Sequence, residues 1–187
     1  MPNALSKVVA FIILVFLLFV YPIKNELERQ DEISRIYVLN KTIGFVDAVR
    51  NMGYISPEMY DNYLDELALT GNLYKVEMEH AKLEYLPVME YDPVSGQYET
   101  VPGEFHKSYI YTYTSEIEEV LFPDPRSPGY SGTGNYYEMH MGDYFTVSVM
   151  NLNKTMATRI QEMVYGRTIS PEKIFVTYGG MIRDESD

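Results

Sequence analysis

From Val8 to Ile23 the chain reads VVAFIILVFLLFVYPI, a run with no charged residue and almost no hydrogen-bonding side chain. A helix that is apolar on every side has no face to offer water, so this pattern predicts a membrane segment, with the lipid bilayer as partner through Val8 to Ile23. At about 1.5 Å per residue the run covers ~24 Å, and extension back to Ala4 brings it to the ~30 Å of a hydrocarbon core. That extension includes Lys7, whose ammonium can snorkel to the headgroups from a helix end.

Beyond Ile23 the pattern changes twice. Lys24 to Asp31 is heavily charged with Leu27 its single apolar residue, which predicts a helical stretch facing solvent or other subunits. Ile33, Ile36, Leu39, Ile43, Val46 and Val49 then recur at helical spacing, with Phe45 and Met52 beside them, and predict one apolar stripe packed on a domain core. Pro22 predicts a kink where the helix leaves the membrane, and Gly53 a C-terminal cap. Anchor and amphipathic helix together form a rod of about 45 residues, on the order of 70 Å.

The remaining chain alternates shorter signals. Ser56-Pro57-Glu58 opens a second helix whose buried face is Met59, Tyr60, Tyr63, Leu64, Leu67 and Ala68, ended by Gly71. From Leu73 the period is two, with Tyr74, Val76 and Met78 on one face and Lys75, Glu77 and Glu79 on the other, a strand ending before Pro87. Turn signals between Tyr91 and Gly103 predict a hairpin or exposed loop. Ser108 to Tyr113 is strand-like, Ser115 and Glu118 form a capping box for a short helix ending near Phe122, and Pro123 to Asn135 predicts a mobile surface loop. Tyr136 to Met141 and Tyr144 to Leu152 predict two strands around Gly142-Asp143, the second central in its sheet. Asn153 or Thr155 opens a helix through Met156, Ile160, Met163 and Val164 to Gly166, and Ile174 to Ile182 a last strand with a bulge or close backbone approach at Gly179-Gly180. The fold class is α+β: an N-terminal transmembrane helix continuing into an amphipathic helix that packs on an antiparallel β-sheet domain. The divisions are a lead and anchor over 1–23, the amphipathic helix over 24–53 and one α+β domain over 54–187.

Composition sharpens this picture. From Lys24 onward, 27 acidic residues face 14 basic ones, a formal charge of −13, and such a domain repels phosphate backbones, so nucleic acid is not an expected ligand. The chain has no cysteine, which excludes disulfides, thiolate catalysis and sulfur-built zinc sites. Its 18 tyrosines and no tryptophan suit a sheet-rich surface where a ring packs and a hydroxyl reaches water. MPNALSK before the apolar run, and YPIKNELERQ after it without an Ala-x-Ala site, predict a retained signal-anchor. Basic residues stand on both sides of the span, so charge alone leaves the topology open; an acidic, cysteine-free domain is expected to be extracytoplasmic.

Candidate chemistry is sparse. His80, His106 and His140 are the residues able to act as imidazole bases near neutral pH, and none has a local partner that makes a motif. Met139-His140-Met141 has the softness of a copper site, but strand alternation would turn both methionines away from the histidine. Glu118 and Glu119 read as a cap and a solvated surface residue. Asn40-Lys41-Thr42 and Asn153-Lys154-Thr155 match the glycosylation acceptor pattern, which is too short to assign a function. No nucleophile elbow, phosphate loop, dinucleotide fingerprint or metal helix is present. The expected catalytic, cofactor-binding and metal sites are therefore none, and an enzyme would need a buried cluster of His80, His106 or His140 with carboxylates.

A short leader, an apolar helix with Pro22 at its outer end, a continuing amphipathic helix and a late-strand domain together resemble a type IV pilin or pseudopilin, most nearly the TadE-like minor pilins of tight-adherence systems. FVDAVRNMGYIS, GDYFTVSVMNLNKT and IFVTYGGMI carry the similarity into the domain. The resemblance implies a non-enzymatic component of a surface or secretion apparatus in the cell envelope, with other membrane or pilus-assembly proteins as partners through the N-terminal helix. The family places a small residue before its processing point and a glutamate a few residues into the apolar helix. Here Ala4 is the small residue nearby, the first glycine is Gly44 and the first glutamate Glu26, a departure that suits an accessory or initiating subunit. The alternative is a membrane-tethered ligand-binding or sensory domain that holds a cell-wall glycan or peptide on its tyrosine-rich sheet and the Pro123 to Asn135 loop.

Overall fold

The computed structural model describes residues 2–126, 135–171 and 174–183. It is an α+β fold with one long N-terminal helix and antiparallel sheets. Helix α1, Pro2–Met52, has 51 residues and so spans about 76 Å. It continues through Pro22, although a proline there leaves the Leu18 carbonyl without its usual donor. Gly53 ends it at φ 72°, a left-handed conformation that costs glycine little, and donates its N–H to the Val49 carbonyl at 2.8 Å.

The buried face of α1 is shorter than the sequence stripe and differs in phase. Val38, Thr42, Phe45, Val46 and Val49 are buried, whereas Ile33 and Ile36 are 58% and 49% exposed. At about 100° per residue Ile36 lies about 160° round the helix from Val38, so one face cannot bury both. Thr42, which the stripe did not include, lies on the buried face. Its hydroxyl donates to the Val38 carbonyl at 2.8 Å and accepts from the Tyr63 hydroxyl at 2.8 Å, so the polar group is satisfied where water is excluded.

Strand β1 (Tyr54–Ile55) leads to helix α2, Pro57–Ala68, whose Ser56 cap accepts from the Met59 N–H at 3.2 Å. Tyr60, Tyr63 and Leu67 point inward, while Leu64 and Ala68, expected on that face, are exposed. Phe45 stacks on Tyr63, with ring centroids 4.4 Å apart, and meets Phe145 edge-on at 6.3 Å; such pairs add about 0.5–1.5 kcal/mol each beyond area burial.

Strands β2 (Tyr74–Asp92) and β3 (Gln97–Tyr113) form a hairpin far longer than the sequence predicts. Pro87 does not end β2, because it pairs with Phe105 beside a break in register. Met89 pairs with Thr100, so residues 101–104 of β3 stand against Val88 alone. Pro102, which cannot donate, and Gly103, at φ 84°, make this a bulge rather than the strand end that their turn signal suggested. β5 (Tyr144–Asn151) pairs with β2 over Tyr74 to Ala81, so the hairpin beyond Ala81 is a two-stranded arm.

Helix α3, Thr114–Leu121, follows β3 directly. Its first turn is closed by Glu116, which accepts from the Tyr113 N–H at 3.1 Å, and not by the expected Ser115–Glu118 box. Glu118 instead accepts from the Tyr60 hydroxyl at 2.7 Å. Thr114 stands in for the next β3 residue, its hydroxyl accepting from the Met78 N–H and donating to the Met78 carbonyl. Residues 127–134 of the expected surface loop lie outside the described residues.

The four-stranded sheet has order β3-β2-β5-β6, with β6 at Phe175–Met181, and β5 is interior as its β-branched composition predicts. β4 is only Tyr137–Glu138 and pairs with β1 in a separate two-stranded sheet, so Gly142-Asp143 does not join neighbouring strands. Met139, Phe145, Val147, Val149, Val176 and Ile182 complete one core with α1, α2 and α3. The pairing of β5 with β6 runs unbroken, so Gly179-Gly180 is no bulge. It is a close approach: a Cβ on Gly179 would strike the Phe145 carbonyl at 2.8 Å, and one on Gly180 the Arg50 guanidinium at 2.6 Å. Arg50 uses that room to donate to the Met181 carbonyl at 2.9 Å and to Asp47 at 2.7 Å, which ties the far end of the rod to β6.

Candidate functional site

Three regions carry features beyond core packing. The first is the rod itself. Among the described residues α1 alone is long and apolar enough to cross a membrane, and its apolar stretch is unburied. Large apolar side chains from Val8 to Phe19 are exposed. The same helix enters the domain core without a break, so the apolar half and the domain share one backbone.

The second is a buried polar cluster at the edge of β2. His80 and Asp143 are 3% and 2% exposed. His80 Nε2 lies 3.0 Å from Asp143 Oδ2, and Nδ1 lies 2.7 Å from the Tyr137 hydroxyl. An ionised carboxylate only accepts, so Nε2 carries the proton and Nδ1 accepts from Tyr137. Thr112 stands opposite His80 in the β2–β3 register. Asp143 also accepts the Leu83 N–H at 2.8 Å and the His140 N–H at 2.9 Å. Burial pushes the His80 pKa down, outweighing the pull of Asp143. Burial alone would raise the Asp143 carboxyl, but the two backbone N–H groups and the imidazole hold it below the ordinary carboxylate range.

Sequence reasoning missed this cluster because Asp143 is sixty-odd residues from His80 and looked like a turn residue. The structure brings one of the three histidines to a carboxylate; His106 lies exposed on the arm and the His140 side chain is exposed. Both His80 ring nitrogens are already bonded, and the group has no open face for a substrate. Its evident task is to clamp the 140–143 turn to β2 where the β5 ladder stops. The Met139-His140-Met141 reasoning needs correction too: β4 ends at Glu138, Met139 is buried, and both His140 and Met141 are exposed. Among the described residues no three His, Asp or Glu side chains gather as a metal site would require.

The third region is the seam between the charged part of α1 and helix α4, Met156–Tyr165. Thr155, one of two caps the sequence allowed, accepts from the Thr158 N–H at 3.3 Å and donates to Asp31 at 2.7 Å. Asp31 thereby sits at the positive end of the α4 dipole. Further along, Gln161 donates to Glu28, and Lys24 pairs with Glu28 at 3.3 Å. Helix α4 therefore runs back along α1 toward Ile23. A groove of ≈ 270 Å³ lies in this seam, lined by Leu27, Asp31, Ser34, Asn72, Thr155 and Arg159 among others.

Lys24 to Asp31 is thus not left wholly to solvent or other subunits, because Lys24, Leu27, Glu28 and Asp31 are part-buried. The face that α4 offers is Ala157, Thr158 and Gln161; Met156, Met163 and Val164 are exposed. A polar stem selects a polar and small helix face. Both acceptor patterns have structural duties: Thr42 is buried, and Asn153 accepts the Leu73 N–H at 2.8 Å while donating to Asn72 at 3.1 Å. Compared with protein-family models, with curated proteins and with solved structures, the chain matches none, so its function must be read from this geometry.

Proposed function

We propose that this chain is a single-pass, membrane-anchored structural or assembly subunit without enzymatic activity, a pilin-like component of a surface or secretion apparatus. The observation that carries the reading is the continuity of α1: an exposed apolar half and a core-forming half in one helix of 51 residues. A domain that needs only tethering is served by a flexible linker. A continuous helix fixes the domain's orientation to its membrane segment, which is what packing of many apolar helices side by side requires. The domain's formal charge of −13 from Lys24 onward favours an extracytoplasmic placement, away from the anionic leaflet.

The native chain lacks cysteine, so single-cysteine variants from Phe11 to Leu18 report without background. In intact cell membranes, oxidative cross-links between copies or to other membrane proteins are expected to recur every three to four positions, as a packed helix face demands. A helix that forms no cross-link at any position stands alone in lipid, and the subunit reading fails. Protease digestion of the domain from outside intact cells supports the extracytoplasmic placement, and protection reverses it.

A second reading, a tethered domain that binds a glycan or peptide, is favoured by the sheet face away from α1. Tyr109 and Tyr144 meet edge-on at 6.0 Å there, and Tyr111 and Tyr144 flank Ala81 across the strands. Stabilisation of the full chain by cell-wall fragments, about 2.7 kcal/mol at a hundred times the dissociation constant, is expected on that reading. No shift at saturating fragment removes it.

A further inference from the structure

The tip of α4 has a composition and a position that packing does not explain. Met163 to Pro171 contains no acidic residue, in a region of the chain whose formal charge is −13. Met163 is 84% exposed, and Val164, Tyr165 and Arg167 are exposed with it. The acidic groups around them are already bonded. Glu28 pairs with Lys24 and accepts from Gln161, while Glu162 pairs with Lys154 at 2.7 Å and accepts the Ile169 N–H at 2.8 Å. Arg167 lies over the Tyr165 ring at 6.0 Å from its centroid. The surface presented is therefore apolar and cationic, with a phenol between.

Its height along the rod is set by two contacts. Thr155 meets Asp31 and Gln161 meets Glu28, and the four residues from Gln161 to Tyr165 rise about as far, ~6 Å, as the four from Glu28 back to Lys24, so α4 descends the stem and ends near the level of Lys24. Lys24 stands only about 1.5 Å of helical rise past Ile23. On the reading of Ala4 to Ile23 as a membrane span, on which this inference rests, that level is the headgroup layer. Tyrosine is enriched there because its ring is apolar and its hydroxyl wet, and arginine there meets lipid phosphate.

We propose that the α4 tip, Met163 to Arg167, is a second membrane contact, seated in the phospholipid headgroup layer of the bilayer that α1 enters. The exposed Met163 and Val164 dip toward the acyl boundary, Tyr165 stays at the interface beside Lys24, and Arg167 faces phosphate. The polar α1–α4 seam acquires a purpose on this view, since it holds the tip at a fixed depth and leaves α4's apolar face turned outward. The domain then stands on the membrane at two points and cannot swing freely about Pro22.

The chain has no tryptophan, so single tryptophans test the contact in the full-length protein. Leu14→Trp, Met163→Trp, Tyr165→Trp and Tyr111→Trp are each reconstituted into phosphatidylcholine–phosphatidylglycerol vesicles containing lipids brominated at a shallow or a deep acyl position. Met163→Trp guards against any disturbance caused by replacing Tyr165, because the Met163 side chain is almost fully exposed. The expected result is loss of emission with shallow bromines for Met163→Trp and Tyr165→Trp, loss with deep bromines for Leu14→Trp, and no loss for Tyr111→Trp. Leu14→Trp quenched while both tip variants are not means that the tip stands in water, which overturns this proposal and leaves the span intact. Leu14→Trp unquenched overturns the span itself and the proposal with it.

Discussion

Helix α1 makes two interfaces within one domain, and they are built on opposite principles. Its far part, Val38 to Val49, is buried mainly by apolar contact with α2 and the sheet, with polar links only at Thr42–Tyr63 inside and Lys41–Glu66 and Asp47–Tyr178 at the rim. Its near part, Lys24 to Ser34, meets α4 through Asp31–Thr155 and Glu28–Gln161, beside a groove. The apolar interface is non-directional and shares its residues with the whole core, so losing part of it loosens everything. The polar interface is directional and local, and its net worth per bond is small because water competes for each partner. One helix thus joins a cooperative core to a seam able to open by itself.

The largest expected effect lies in the core. Phe45→Ala removes the ring stacked on Tyr63 and facing Phe145, and should cost about 3–5 kcal/mol in denaturant unfolding of the full chain in detergent. Asp143→Ala comes next. It strips the His80 ring, the Leu83 N–H and the His140 N–H of their acceptor and should cost about 2–4 kcal/mol. A smaller loss would mean that water reaches the cluster.

The same cluster makes stability depend on pH. The folded-state pKa of His80 lies below its ordinary 6.5, so its contribution is fully present above that value and is lost as pH falls below it. Asp143, also lowered, adds a second loss below its ordinary 3.8. The thermal unfolding midpoint should therefore fall on acidification from neutral pH, and His80→Gln should flatten the first part of that slope. An unchanged slope in the variant places the titrating group elsewhere.

Thr155→Val removes the α4 cap and its bond to Asp31. Its expected cost is about 1–2 kcal/mol, read by hydrogen exchange in α4 and not in β5. Equal loss of protection in both elements would merge the two interfaces into one cooperative unit and break the contrast drawn above. Ile36→Ser should change stability by less than about 0.5 kcal/mol, since Ile36 points away from the domain. A larger loss would restore the longer stripe.

The sequence by itself determined the parts whose physics is local or periodic. An unbroken apolar run needs no partner to be recognised, Ser56-Pro57-Glu58 caps a helix with its own atoms, and the β-branched β5 finds the sheet interior. Tertiary structure decided wherever two segments had to choose each other. Ile33 and Ile36 satisfied helical spacing but lay round the helix from the sheet, and Pro87 and Pro102-Gly103, strand breakers locally, were absorbed as a bulge because β2 and β3 had each other to pair with. Met156, Met163 and Val164 lie exposed because the stem beside α4 offers Asp31 and Glu28, and a part-buried carboxylate needs a donor more than a methyl group needs cover. Asp143 could not be linked to His80 from spacing, since only the crossing of β2 by the 140–143 turn sets that distance. Periodicity states that a face is apolar; which neighbour it meets depends on the relative placement of elements far apart in the chain.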